Sequence, residues 1–242
     1  MMIPWVSPGQ GFPDLSSALQ DPNGLLAASQ TLTAQDILLA YRQGIFPWCG
    51  LDQPILWWSP DPRMVLFPDQ VKISRSLKKS ILKADYTISM DTHFEMVMRE
   101  CAQPRKSDAS TWIGEDFIAA YTQLHHQGIG HSVEIWKGNE LVGGLYGLSF
   151  GQMFFGESMF SKKTDASKIA LTFLCFLLSH YAKSLIDCQV ANAHLASMGA
   201  YNMPRGEFVQ YLSSAMKEEM IDWRAISDNM DHYYAAFLQT LR

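Results

Sequence analysis

Two short segments carry side chains whose types and spacing suit chemistry on a polar substrate. In LIDCQV, Asp187 and Gln189 stand two residues apart. A strand would send both from one face and Ile186 and Cys188 from the other, so that a carboxylate and an amide share a surface able to handle a proton. Taken alone, a D-x-Q pattern is more often the solvent face of an edge strand. In MFFGESMFS, Glu157 stands among Phe154, Phe155, Met159 and Phe160. A carboxylate in such company is costly to bury without a cationic partner, which makes Glu157 either a receptor for a basic ligand or an outward-facing strand residue.

Two further groups suit binding. Between Phe46 and Arg63, four prolines and three tryptophans (Trp48, Trp57, Trp58) crowd together. Proline stiffens the backbone and disfavours helix, so these rings stand on a rigid, irregular segment where they either fill core or stack on a base. The run VKISRSLKKSILK (Val71–Lys83) spaces Lys72, Arg75, Lys79 and Lys83 for one helical face and Ile73, Leu77 and Ile81 for another, with no acidic residue between. A charge run of this kind is more often a solvated face than a binding patch.

Composition bounds the reading. The 242 residues suit one large domain or two unequal ones, and 48% hydrophobic with 18% charged residues excludes disorder. A net charge of −5 excludes a surface that is basic all over, so a nucleic-acid partner requires a local patch. Cysteines 49, 101, 175 and 188 have neither CxxC spacing nor scaffold density, which points to reduced thiols and no zinc. MMIPWVSPGQGFPDL lacks a basic start followed by an apolar run, and Ile169–Ala182 is shorter than the ~20 residues a bilayer requires. A cytoplasmic protein without membrane or metal partners is expected.

The elements that must position these groups follow from periodicity. A helix is expected over 34–43, capped by Thr33 and ended by Gly44. A domain boundary is placed near Arg63, giving 1–62 and 63–242. HSVEIWKG, LVGGLYGLSF and MFFGESMFS read as an antiparallel meander. An apolar helix over 166–183, the strand LIDCQV, a helical stretch AHLASMGA and a helix in GEFVQYLSSAM follow. The fold class is α+β, with helices packed on a mixed sheet.

Nine segments in order, GIFPW, ILWWSPDPR, ISRS, TWI, GGLYG, FFGESMFS, ASKIAL, LIDCQV and HLASMGA, resemble the signature series of the leucyl/phenylalanyl-tRNA-protein transferases. They span Gly44 to Ala200, about two-thirds of the chain. One such motif is weak; an ordered series is specific. The resemblance implies a small N-terminal domain and a larger one similar to the acyl-CoA N-acyltransferase (N-acetyltransferase) fold. It also implies transfer of leucine, phenylalanine and less readily methionine from aminoacyl-tRNA to proteins with N-terminal arginine or lysine, in the bacterial N-end-rule degradation pathway. Aminolysis of an activated ester calls for no cofactor, ATP or metal. It calls for alignment, which supplies roughly 7 to 11 kcal/mol.

Carried onto this sequence, the resemblance makes Asp187 and Gln189 the catalytic pair. Asp187 is expected to hydrogen-bond and polarise the Gln189 side-chain amide, whose oxygen accepts a hydrogen from the α-amine. The final proton acceptor is left among Asp187, a water and the terminal ribose hydroxyl. Glu157 becomes the acceptor-binding residue. Leu145, Phe154, Leu171, Phe173, Leu174 and Leu177 become the aminoacyl pocket, although most of the helical ones read equally as core. Trp48 and Trp112 are assigned to the terminal adenosine of tRNA, and Lys72, Arg75, Lys79 and Lys83 to its phosphates.

Two departures stand out: Ser110 precedes TWI where the family usually has glycine, and the tail after about Lys217 matches nothing and is assigned no function. Three rivals are set against this reading. An acetyl-CoA N-acetyltransferase needs a glycine-containing pyrophosphate loop at a helix start, where SKKTDASK has none. Peptidyltransferases of cell-wall synthesis share a similar fold but fit the motif series less well. An inert tRNA-binding module predicts binding without transfer.

Overall fold

The computed structural model describes residues 3–50, 53–83, 85–104 and 112–242. Ser110, and with it the departure before TWI, lies outside them.

The chain opens with a three-stranded antiparallel sheet of order β1-β3-β2, built from β1 (Leu25–Ser29), β2 (Phe46–Pro47) and β3 (Ile55–Trp58). Helix α1 (Ala34–Tyr41) lies between the first two. The Thr33 side chain accepts the Asp36 N–H at its start, and Gly44 at φ +76° turns the chain after it, as the sequence leads one to expect. Trp57 is fully buried and donates its indole N–H to Ser29 Oγ, so this ring is core. Trp48 is exposed and Trp58 lies between these extremes.

From Arg63 the chain enters a seven-stranded sheet of order β10-β4-β9-β8-β7-β6-β5. Its strands are β4 (Arg63–Leu66), β5 (Thr87–Met90), β6 (Gly130–Lys137), β7 (Glu140–Phe150), β8 (Met153–Ser161), β9 (Leu185–Gln189) and β10 (Tyr201–Met203). β6, β7 and β8 form the antiparallel meander that their alternation and tight turns indicate. Helix α5 (Ala166–Leu178) then crosses so that β9 runs parallel to β8. β9 is an interior strand, paired antiparallel to β4 on its other side, and the edge-strand alternative for LIDCQV is thereby excluded.

Helices cover both faces. One core joins α1, α3 (Phe94–Cys101), α4 (Glu115–His126) and α7 (Arg205–Ala215); the other joins α2 (Arg75–Lys83), α5 and the C-terminal helices α8 (Trp223–Asp228) and α9 (Met230–Thr240). The tail is therefore structural: Ile221, Trp223, Ile226, Phe237 and Leu241 are buried, and Phe237 packs against Phe173 and Phe176 of α5. No helix among the described residues is long and apolar enough to cross a membrane, and no cluster of potential metal ligands occurs among them.

One feature of the sheet creates an opening. β8 and β9 pair only over Met153–Phe155 and Leu185–Asp187, yet β8 runs on to Ser161 and β9 to Gln189. Beyond Phe155 and Asp187 the two strands part, and the opening exposes the ends of both.

Candidate active site at the parting of two strands

A cavity of about 540 Å³ occupies this opening and takes lining from both faces of the sheet. Leu145, Phe154, Leu171, Leu174, Ile186 and Leu195 form an apolar slot against α5 and α6 (Ala193–Ser197). On the other side stand Phe46, Trp48, Cys101, Trp112, Tyr146 and Glu157, and Gln189 sits at the rim where β9 ends.

Asp187 is fully buried and does not line the cavity. Its Oδ1 accepts Arg63 Nε at 2.8 Å and its Oδ2 accepts Arg63 Nη2 at 2.7 Å, a two-point ion pair with both side chains almost wholly out of solvent. The third arm, Arg63 Nη1, donates to the Gly44 carbonyl at 3.0 Å. The guanidinium lies over the rings of Phe46 and Phe208, 4.6 and 4.8 Å from their centroids. Planar, forked and weakly hydrated, arginine suits this enclosure as lysine does not. Sequence reasoning did not single out Arg63. The available signal was a carboxylate in an apolar strand, which requires a buried cation somewhere in the chain.

The expected link from Asp187 to the Gln189 side chain is not formed. Asp187 Oδ1 accepts the main-chain N–H of Gln189 at 2.9 Å, whereas the side-chain amide donates from Nε2 to Glu157 Oε1 at 3.2 Å. The reason lies in the backbone. Gln189 has φ +63°, and the Val190 N–H closes on the Cys188 carbonyl at 2.8 Å, so the chain makes a γ-turn centred on Gln189. Side-chain alternation holds for extended residues only, and the turn carries the amide away from the carboxylate. Asp187, with both oxygens occupied, holds this turn and the Arg63 anchor in place.

Glu157 belongs to a hydrogen-bonded cluster. Tyr41 Oη donates to Oε1 at 2.6 Å and Tyr121 Oη to Oε2 at 3.1 Å, with the two hydroxyls 2.8 Å apart. Removal from water pushes the Glu157 carboxyl up to about 7, against the two tyrosine hydrogen bonds that favour its ionised form; Asp187 adds to the rise and Arg63 opposes it. The glutamine amide is thus held by a carboxyl that titrates near neutrality. Tyr41 and Tyr121, buried beside that carboxyl, are pushed well above the usual phenol range, first by desolvation and then by Glu157.

The structure distributes the other sequence-assigned residues as follows. Leu145, Phe154, Leu171 and Leu174 line the slot; Phe173 and Leu177 do not, Phe173 packing instead on Phe176, Tyr234 and Phe237. On a helix only the residues facing the opening reach it, and Phe173 faces the C-terminal helix. Trp48 and Trp112 both line the cavity, and Trp112 meets Phe117 edge to face. The basic helix begins at Arg75, not Val71, leaving Lys72 in the segment before it, and Lys72, Arg75, Lys79 and Lys83 are all exposed.

Known proteins match this chain over most of its length. Residues 65–213 match the family model for leucyl/phenylalanyl-tRNA protein transferase, and residues 30–61 match the model for its N-terminal domain. The Nitrosomonas europaea leucyl/phenylalanyl-tRNA–protein transferase is 57% identical over 84% of this chain and 86% of its own. The Chromobacterium violaceum protein of that name is 49% identical over 91% of this chain and 95% of its own. Among solved structures, a GCN5-related N-acetyltransferase from Kribbella flavida aligns over 69% of this chain and 60% of its own with a TM-score of 0.39 and 10% identity, too distant to carry function. A chain matched over most of its length by these family models and relatives belongs to the leucyl/phenylalanyl-tRNA protein transferase family of enzymes.

Proposed function

We propose that this enzyme transfers leucine or phenylalanine, and less readily methionine, from aminoacyl-tRNA to the α-amine of proteins that begin with arginine or lysine, a cytoplasmic step marking them for N-end-rule degradation. The observation that carries the reading is one cavity lined both by an apolar slot and by the hydrogen-bonded Glu157–Gln189 pair. The donor side chain occupies the slot of Leu145, Phe154, Leu171 and Leu174, which favours apolar residues by desolvation. Trp48 and Trp112 stack on the terminal adenosine, while Lys72, Arg75, Lys79 and Lys83 meet phosphates. Residues 1–62 form the smaller domain and 63–242 the catalytic one.

The chemistry is aminolysis of an ester. The acceptor amine attacks the ester carbonyl, the new C–N bond forms, and the ribose oxygen leaves. With its Nε2 committed to Glu157, Gln189 keeps its Oε1 to accept a hydrogen bond from the amine and aim its lone pair. A neutral amide orients the amine without becoming its base, and the proton passes to water or to the departing ribose oxygen. Asp187 acts through the main chain as a positioning residue. Glu157, once ionised, receives the cationic side chain of the acceptor's first residue.

Purified protein incubated with phenylalanyl-tRNA and an arginyl-starting peptide, with neither CoA nor ATP, should yield the phenylalanyl-extended peptide. Binding of the tRNA without extension would favour the inert-module reading; a requirement for acetyl-CoA would favour the acetyltransferase.

A further inference from the structure

Three buried phenols gather around Glu157, and only two of them touch it. Tyr41 and Tyr121 donate to its two oxygens, whereas Tyr146 of β7, wholly buried and also lining the cavity, has a hydroxyl without a hydrogen-bond partner among the described residues. Its ring is fixed edge to face against Tyr121 at 6.0 Å and Phe94 at 5.8 Å. Phenylalanine would make those ring contacts equally well and would leave no hydroxyl stranded, a state that costs stability in a buried setting. The hydroxyl therefore belongs to a state in which something arrives.

The hydrogen-bond count around Glu157 indicates what arrives. Oε1 already accepts from Tyr41 and Gln189, so it is filled, while Oε2 accepts from Tyr121 alone and retains one lone-pair direction. The free capacity is thus one carboxylate direction and one phenol oxygen, on two residues that both line the cavity. A ligand group with several N–H donors in a fixed fork satisfies both together.

Building on the acceptor reading given above, we propose that Tyr146 is a further specificity-determining residue, whose hydroxyl oxygen accepts a hydrogen bond from the guanidinium of an N-terminal arginine while Glu157 takes its charge. A lysyl ammonium, compact and on a different reach, gains less from the second acceptor, so Tyr146 biases the enzyme toward arginine.

The test is Tyr146→Phe assayed with phenylalanyl-tRNA as donor and with arginyl- and lysyl-starting peptides as acceptors, alongside thermal unfolding. The KM for the arginyl peptide should rise about tenfold or more, as for loss of one hydrogen bond to a charged group, and the lysyl KM should rise less. The KM for phenylalanyl-tRNA and kcat should stay as they are, and Tm should hold or increase because a stranded hydroxyl is gone. An unchanged arginyl KM overturns the proposal. So does a parallel rise in both acceptor KM values, or a loss of Tm accompanied by weaker binding of all substrates, the signature of a packing role. A wild-type protein that does not extend the arginyl peptide at all overturns the acceptor reading itself and this inference with it.

Discussion

Arg63 and Asp187 stand 124 positions apart in sequence and meet through two N–H···O bonds of 2.8 and 2.7 Å in a space closed to water. The pair joins β4 to β9, and Asp187 extends the link to the main chain of Gln189, so the cavity rim hangs from a single buried ion pair. Breaking such a pair from one side leaves an uncompensated charge, at a cost of about 3–5 kcal/mol. Arg63→Met should therefore lower the urea midpoint sharply, and Arg63→Met combined with Asp187→Leu should recover a large part of the loss. A single variant as stable as the parent protein contradicts the anchoring role.

Gln189 is expected to be needed for rate and not for folding. At φ +63° an asparagine is tolerated better than most residues, so Gln189→Asn keeps the turn while withdrawing the amide by one methylene. The kcat should fall about 100-fold, a loss comparable to that for misplaced catalytic geometry, with the unfolding midpoint nearly unchanged. Near-normal turnover removes the side chain from the mechanism.

The pH response follows from Glu157. Its carboxyl titrates at about 7, so a cationic acceptor should bind better as pH rises through that value, each unit below it weakening binding by up to about tenfold. Inhibition by a peptide whose terminal arginine lacks its α-amine isolates this effect from deprotonation of the amine, and Glu157→Gln should flatten the profile. The sign for stability is the opposite. Because folding raises this pKa above its ordinary value of 4.5, protons bind the native state more tightly, and stability is lost as pH climbs from about 4.5 through 7. Urea titrations of the parent protein and Glu157→Gln should differ in slope across that window.

Leu171 and Phe173 lie two residues apart on α5 and should answer differently. Leu171→Ala enlarges the slot and should shift the ratio of phenylalanine to leucine transfer by roughly 1–3 kcal/mol, or 10- to 200-fold. Phe173→Ala opens a hole against Phe237 and should cost about 3–5 kcal/mol of stability without altering that ratio. Competition between the two charged tRNAs, read beside unfolding curves, separates the cases.

The exposed basic side chains of α2 make a prediction about salt. Lys79→Ala should weaken tRNA binding and reduce the slope of log K against log salt concentration by about one, leaving kcat at saturating tRNA intact. A slope equal to that of the parent protein returns α2 to the role of an ordinary solvated face.

Local chemistry made much of this molecule readable in one dimension. The Thr33 cap, the three strands of the meander, the apolar α5 and the basic face of α2 each follow from spacing within a dozen residues, since periodicity and capping are short-range effects. The ordered motif series carried the family. Other features required distant residues to meet. Only the fold supplied Arg63 as the partner of Asp187, turned Gln189 toward Glu157 through a left-handed residue in place of strand alternation, and ringed Glu157 with tyrosines from α1 and α4. The tail shows the same division. Its apolar residues are plain in the sequence, but that they seal α5 depends on where the chain returns, because burial and pairing are set by the partner across the gap and not by the neighbour along the chain.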